Sequence, residues 1–276
     1  MSVTDIAAAD LAESVRTVRE TEPLVQHLTN TVTINDVANL TLHWGGLPVM
    51  ADSFGDAGEM AAAARAVVLN IGQVPDGRVE AMHQAGRTAN ERGIPVVLDP
   101  VGVGSTPSRD AVAESLLSEI EFAAIKGNYG EISALAGVEA DVKGVESIGD
   151  YAEIEATARS VAESTGATVV ASGVDDIVAD ADGAVRLTAG HELLGEVVGT
   201  GCMLAATIGT FGGALEDPSE AAVHATLAFG IAGERAAEMD QSGPGSYQTA
   251  FRDAVYGLTG DVVADLALAD RIERLR

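Results

Sequence analysis

The strongest constraint in this sequence is an alternation. Runs of nearly continuous apolar residues, among them AVVLNIG (66–72), IPVVLD (94–99) and ATVVASG (167–173), are separated by segments of helical length and period. A strand wetted on one side alternates apolar with polar residues, so a run that is apolar throughout must be covered on both faces. Strand and helix repeating in this order specify a mostly parallel sheet between two helical layers, an α/β three-layer sandwich. PLVQHLT (23–29), LPVMA (47–51) and FAAIKG (122–127) supply further strands. Helices are expected over 33–44, 55–65, 76–92 and 108–118, from near Glu131, and over 150–165. The runs DIVAD and AVRLTAG flank Ala181-Asp182-Gly183 and predict a hairpin that adds antiparallel strands to one edge. The remainder reads as helical over 201–214, 218–240 and 246–273. No linker or composition break divides the chain, so residues 1–276 are expected to form one domain.

Composition narrows the function. Apolar residues make up 47% and aromatics only 4%, so the core must be built from Ala, Val, Leu and Ile. Forty-two acidic residues against 16 basic ones give a formal net charge of −26. That field repels a phosphate backbone and no basic cluster offsets it, which argues against a nucleic-acid partner and against an anionic membrane surface. Lys126 and Lys143 are the only lysines, and the acids are spread along the whole chain. A diffuse acidic shell suits high internal salt, where self-repulsion is screened; it reads as a halophile's cytoplasmic protein. The single cysteine excludes an intramolecular disulfide. The N-terminal stretch MSVTDIAAADLAESVRTVRE reads as an acidic amphipathic helix and lacks the basic and apolar regions of a signal peptide. Residues 197–215, VVGTGCMLAATIGTFGGAL, carry no charge, but five glycines and three threonines make them too polar for a membrane span. Within them Ala205, Gly209 and Gly213 recur every four residues, a pattern expected to let a central helix pack closely against a neighbour.

In a parallel sheet, ligands bind beyond the carboxyl ends of the strands. Those ends carry Asn30, Met50, Asp99 followed by PVGVGST, Lys126 followed by GNYGEI, and Ser172-Gly173; finally GTGC opens a helix. Asp99, ending an apolar strand, needs a partner. It either caps backbone N–H groups of the next loop or holds a metal such as Mg²⁺ together with phosphate oxygens. Asn128 and Glu131 face one space across a helix start, and their spacing is equally that of a capping box. Lys126 can neutralise phosphate or be simply one of few cations. The glycines Gly199 and Gly201 permit close approach to free N–H groups at the positive end of a helix dipole, a cradle for an oxyanion. Cys202, in the first turn, is expected to have a lowered thiol pKa; a free cysteine also serves as a small buried hydrophobe.

Other common sites are missing. The sequence has no G-x-x-x-x-G-K-[ST] and no G-x-S-x-G, and its glycine clusters lack the third glycine of a dinucleotide fingerprint. The histidines at 27, 43, 83, 191 and 224 show no metal-ligand spacing.

Taken together and in order, PLVQHLTNTVTINDVAN, GGLPVMA, AVVLNIG, VVLDPVGVGSTPSR, IKGNYGEISAL and VVGTGCMLAATIGTF resemble the hydroxyethylthiazole kinase family of the ribokinase-like superfamily. GTGC is the most specific, because most ribokinase-like kinases place Asp where this family has Cys. The resemblance implies a ribokinase-like fold and ATP-dependent phosphorylation of the alcohol of 5-(2-hydroxyethyl)-4-methylthiazole, a thiamine salvage step that needs Mg²⁺. It implies a homotrimer with thiazole sites at subunit interfaces. Carried onto this chain, it implies that Asn30, Val32, Met50 and Gly199 contact the thiazole alcohol. Asp99 and Glu131 would hold Mg²⁺, largely through water, and Lys126, Ser172 and Asn128 would serve ATP. Gly199 and Gly201 would form the anion hole, with Cys202 beside the reacting hydroxyl. The family usually has Arg in place of Lys126, often Thr in place of Ser172, and His-Cys in place of Gln26-His27; Lys keeps the charge but loses the bidentate fork. The alternatives are a pyrimidine kinase of the same pathway, the ADP/ATP-dependent NAD(P)H-hydrate dehydratase, or a non-catalytic thiazole or nucleotide binder.

Overall fold

The computed structural model describes residues 1–75, 77–138, 142–143, 146–147 and 153–275. Among them the main sheet has nine strands: β1 (Leu24–Leu28), β2 (Leu47–Val49), β3 (Ala66–Asn70), β4 (Val96–Asp99), β5 (Ala124–Asn128), β8 (Thr168–Ser172), β9 (Asp176–Ala179), β10 (Ala184–Leu187) and β11 (Ile272–Leu275). Two-residue strands β6 (Val142–Lys143) and β7 (Glu146–Ser147) form a separate antiparallel ribbon. The spatial order is β11-β10-β9-β8-β5-β4-β3-β1-β2. From β2 to β8 every pairing is parallel, and β8-β9-β10-β11 are antiparallel. The parallel sheet and the expected hairpin are both present.

The helices are α1 (Leu11–Thr21), α2 (Ile34–Trp44), α3 (Ala57–Ala61), α4 (Arg78–Glu91), α5 (Pro107–Glu119), α6 (Tyr129–Leu135), α7 (Ile154–Thr165), α8 (Thr200–Gly212), α9 (Pro218–Glu238), α10 (Pro244–Gly257) and α11 (Gly260–Ala264). Several expected elements are shorter. The N-terminal helix is preceded by 3₁₀ turns at Val3–Asp5 and Ala8–Asp10, the 47–51 strand stops at Val49, and the 55–65 helix keeps only Ala57–Ala61. Residues 76 and 150–152, at the starts of two expected helices, lie outside the described residues.

One element is corrected outright. The expected helix over 246–273 is α10, a break, α11 and then strand β11. Leu258 leaves the helical region at φ −82° and ψ 76°, and Thr259 restarts the chain by capping α11 through its hydroxyl. The last strand is decided by a long-range partner: Glu273 pairs with Arg186 across the antiparallel ladder, and their side chains form a 2.7 Å ion pair.

Both sheet faces are covered, as continuous apolar strands require. On one face Val25, Val68, Val97, Ala124 and Val170 join an apolar cluster with residues of α8, α9 and α10. On the other, Val67, Leu69, Leu98, Ile125 and Val169 pack with residues of α4, α5 and α7. Helix α8 is buried from Met203 to Phe211. It rides directly on the sheet: a Cβ added at Gly209 would lie 2.3 Å from Val68 Cγ2, so the small-residue pattern does serve close packing. Helix α2 meets α8 through Trp44, whose Nε1 donates to Thr207 Oγ1 at 2.9 Å and whose ring stands edge-on to Phe211, 5.5 Å between centroids.

His27 on β1 is buried, and its Nε2 lies 3.1 Å from Thr41 Oγ1. Burial lowers its pKa to about 3. Below the unfolded value of about 6.5 the unfolded chain binds a proton that the native state refuses, so stability falls as pH falls from 6.5 toward 3. Replacing His27 removes that linkage. In urea titrations between pH 5.5 and 4, wild type should lose about 1.3 kcal/mol more per pH unit than His27→Gln. Parallel slopes would refute the assignment.

Candidate functional site

Parallel strands bring their carboxyl ends to one rim, and the register decides which side chains meet there. Val68 is paired with Val97, and Val97 with Ala124; two residues on in each strand stand Asn70, Asp99 and Lys126. Side chains two apart share a face. The apolar row Val68–Val97–Ala124 beneath α8 therefore continues into a polar row, Asn70–Asp99–Lys126, at the point where α8 begins.

All three members are buried. Lys126 Nζ lies 3.8 Å from Asp99 Oδ1, and Asn70 Nδ2 donates to Asp99 Oδ2 at 2.5 Å. Asp99 Oδ1 has no hydrogen-bond partner. The capping of loop N–H groups, one of the two readings of Asp99, is thus replaced by a side-chain partner and one oxygen left open. Burial pushes the Asp99 carboxyl up to about 7; Lys126 pulls against the rise and Glu131 adds to it. Burial works against the charge on Lys126, but Asp99, Glu131, Cys202 and Asp176 outweigh it and hold its pKa above the usual value.

The start of α8 closes the site. Gly199 precedes the helix at φ +95°, and a Cβ there would fall 2.5 Å from Thr33 Cγ2, so glycine is required on both counts. No side chain caps this end, and the first intrahelical bond is Met203 N–H to Gly199 O. The N–H groups of Thr200, Gly201 and Cys202 lie before that bond, at the positive end of a 13-residue helix. A Cβ at Gly201 would be 2.9 Å from Lys126 Nζ. Ammonium and helix terminus therefore converge on one point, a setting for a multiply charged anion.

Cys202 corrects an expectation. Its helix-terminal position predicts a lowered thiol pKa, yet burial pushes it up to about 11 and the Asp99 charge pushes the same way, with Lys126 only partly offsetting them. Its sulfur receives Asn70 Nδ2 at 3.2 Å and Asn30 Nδ2 at 3.4 Å. Asn30 is buried, and its Oδ1 accepts from the N–H groups of Val32 and Thr33.

The capping box at Asn128 and Glu131 is present: Asn128 Oδ1 accepts from Glu131 N at 2.8 Å, and Glu131 Oε2 from Asn128 N at 2.7 Å. Glu131 Oε1 also accepts from Gly102 N at 2.7 Å, tying the loop after β4 to this carboxylate. Among the described residues, no cluster of three or more His, Cys, Asp or Glu side chains could hold a metal ion. Asp99 with an open oxygen and the buried Glu131 form a two-carboxylate set, which suits a hard cation shared with phosphate oxygens.

The other expected residues occupy the same rim at greater remove. Ser172 Oγ donates to Gly127 O at 3.3 Å. Met50 is half-buried just past β2, while Val32 is 61% exposed. Gln26 governs the Met50 loop, its Nε2 donating to Ala51 O and Ala57 O at 2.8 and 3.0 Å. Arg78 adds a second tie, to Asp52 at 2.6 Å and to Thr29 O at 3.0 Å. Sequence reasoning missed Asn70, Arg78 and also Asp176, which burial raises to about 7 against Gly173 N–H and Lys126. The signal for Asn70 was available: it is a lone amide in the apolar run AVVLNIG.

Comparison with known proteins supplies the context. The hydroxyethylthiazole kinase family model matches residues 15–261. A hydroxyethylthiazole kinase of Natronomonas pharaonis is 50% identical over 272 residues, 98% of this chain and 97% of that one. The solved hydroxyethylthiazole kinase of Pyrococcus horikoshii OT3 superposes with a TM-score of 0.87 at 38% identity, covering 96% of this chain and 99% of that one. A ribokinase-like superfamily protein of Enterococcus faecalis V583 shares the fold, with a TM-score of 0.62 at 12% identity over 92% of this chain and 96% of that one.

With its pKa raised to about 11, Cys202 is almost wholly protonated near neutrality. At about pH 8, iodoacetamide should alkylate it at least ~100-fold more slowly than free cysteine, because only the thiolate attacks. Reaction at the free-cysteine rate would contradict the enclosed thiol described above.

Proposed function

Because the chain belongs to the hydroxyethylthiazole kinase family, we propose that it transfers the γ-phosphoryl group of ATP to the alcohol of 5-(2-hydroxyethyl)-4-methylthiazole. The observation that carries this reading is the meeting of Lys126, the uncapped start of α8 and the open oxygen of Asp99 at one point.

Phosphoryl transfer passes through a loose transition state, so positioning and charge stabilisation matter more than a strong base. The N–H groups around Gly199 and Gly201 and the Lys126 ammonium meet the charge on the transferring group. Asn30, Val32, Met50 and Gly199 receive the thiazole alcohol, and Lys126, Ser172 and Asn128 receive ATP. Asp99 and Glu131 would hold Mg²⁺ with phosphate oxygens; the ion would neutralise phosphate charge. Cys202 stands beside the substrate hydroxyl as a thiol, where it orients the alcohol, whose proton passes to an oxygen of the transferred phosphoryl group as the new O–P bond forms and the bond to ADP breaks. The half-exposed and exposed apolar residues Met50 and Val32 support a homotrimer in which a neighbouring subunit completes the thiazole pocket. The net charge of −26 supports a cytoplasmic protein working at high salt.

An Mg²⁺-dependent ADP-release assay with a panel of thiazole and pyrimidine alcohols tests this, run from about 0.1 to about 2 M KCl, where the screening length shrinks to a few ångströms. The thiazole alcohol should be the preferred acceptor. Gly201→Val should lower kcat at least ~100-fold by forcing Lys126 from the helix end. Cys202→Asp should stay within about tenfold of wild type, since the base contributes little to a loose transition state. Preference for a pyrimidine alcohol, or tight binding with no ADP release, would reject the reading.

A further inference from the structure

Asn70 is hydrogen-bonded to Gly72, Asn30, Asp99 and Cys202, and its amide has a determined orientation. It is 2% exposed. Its Oδ1 accepts from Gly72 N at 2.9 Å, a backbone N–H that can only donate. The same oxygen accepts from Asn30 Nδ2 at 3.0 Å. With the oxygen end assigned, the NH₂ end must face Asp99 Oδ2 and Cys202 Sγ, at 2.5 and 3.2 Å. Both of these partners accept, so each hydrogen of the NH₂ group has a separate use.

We infer that Asn70 is a positioning residue of the phosphoryl-transfer site: its carboxamide selects which oxygen of Asp99 faces Lys126 and holds the Cys202 side chain beside it. The claim rests on the functional reading given above. Asp99 has two oxygens, and Asn70 engages Oδ2, leaving Oδ1 toward Lys126 as the one without a hydrogen-bond partner. Without the amide, Oδ2 loses that donor, and Lys126 and Cys202 are left to set the carboxylate's rotation about its Cβ–Cγ bond. The sulfur is held in the same way. Two amide donors, from Asn70 and Asn30, converge on Sγ and restrict the side chain to one rotamer. Asn30 is itself held by Asn70 Oδ1, so a single carboxamide orders the acid, the thiol and the second amide together.

The test uses two substitutions in the full-length protein. Asn70→Ala removes both ends of the amide. Asn70→Asp keeps the acceptor for Gly72 and Asn30 and removes the donor end. If Asn70 acts by aiming Asp99 and Cys202, kcat should fall about 10- to 100-fold in both variants, the range seen when an orienting contact is lost. KM for ATP should change less than about threefold, because the hydrogen bonds of Asn70 run to Gly72, Asn30, Asp99 and Cys202 rather than to Lys126 or Ser172. A role confined to the Gly72 turn predicts instead that Asn70→Asp restores kcat to within about twofold of wild type, and that outcome overturns the inference. So does a rise in KM at unchanged kcat. Crystal structures of wild type and Asn70→Ala give a readout that does not depend on turnover: Asp99 and Cys202 should leave their present rotamers. If wild type releases no ADP with the thiazole alcohol, the functional reading fails and these structures alone decide the positioning claim. Side chains unchanged in Asn70→Ala would overturn it.

Discussion

A charged pair buried at the end of an apolar sheet is the feature around which the rest is arranged. Lys126 and Asp99 are both buried, 3.8 Å apart. Removing two charges from water costs several kcal/mol per ion, and breaking such a pair by deleting one partner costs about 3–5 kcal/mol. The structure answers that cost with polar neighbours supplied by register. Asn70 lies beside Asp99 because their strands pair in parallel at those residues, and Glu131 and Asp176 add negative charge that favours the ammonium. The start of α8 faces the same point with N–H groups that no side chain has claimed. An ammonium and unclaimed helix N–H groups facing one point suit a multiply charged anion.

The rim around this pair is held by side-chain ties to backbone carbonyls. Gln26 grips the loop that carries Met50, and Arg78 joins the ends of β1 and β2 through Thr29 O and Asp52. Glu131 reaches back to Gly102 in the loop after β4. Segments from four strands are thereby located relative to one another before any substrate arrives, which lowers the ordering cost of forming the site. Gln26 departs from the His-Cys pair that the family resemblance suggests at 26–27, yet it has a definite task here.

How much of this was legible in the sequence depended on how local each signal is. The apolar runs revealed the parallel strands because continuous burial leaves no polar face, and GTGC revealed the helix terminus because its glycines are adjacent in the chain. Asn70 shows in AVVLNIG only as a lone amide, since its importance comes from a partner 29 residues away in the neighbouring strand. The strand at Ile272–Leu275 was hidden for a similar reason: IERL carries no decisive period, and Arg186 across the sheet settles it. The thiol pKa went the other way from the local rule. The helix dipole is a near-neighbour effect, whereas burial and the Asp99 charge arise only when the sheet and α8 come together.

The chain contains one tryptophan, and its position has a practical consequence. Trp44 bridges α2 to α8 by the Thr207 hydrogen bond, on the same helix whose first turn carries Gly201 and Cys202. Its indole is buried, and its emission has no competing signal from a second indole. Any shift of α8 along its axis as the anion seats would alter the distance to Thr207 and the edge contact with Phe211. The protein thus carries a built-in fluorophore one hydrogen bond away from α8, with no label attached.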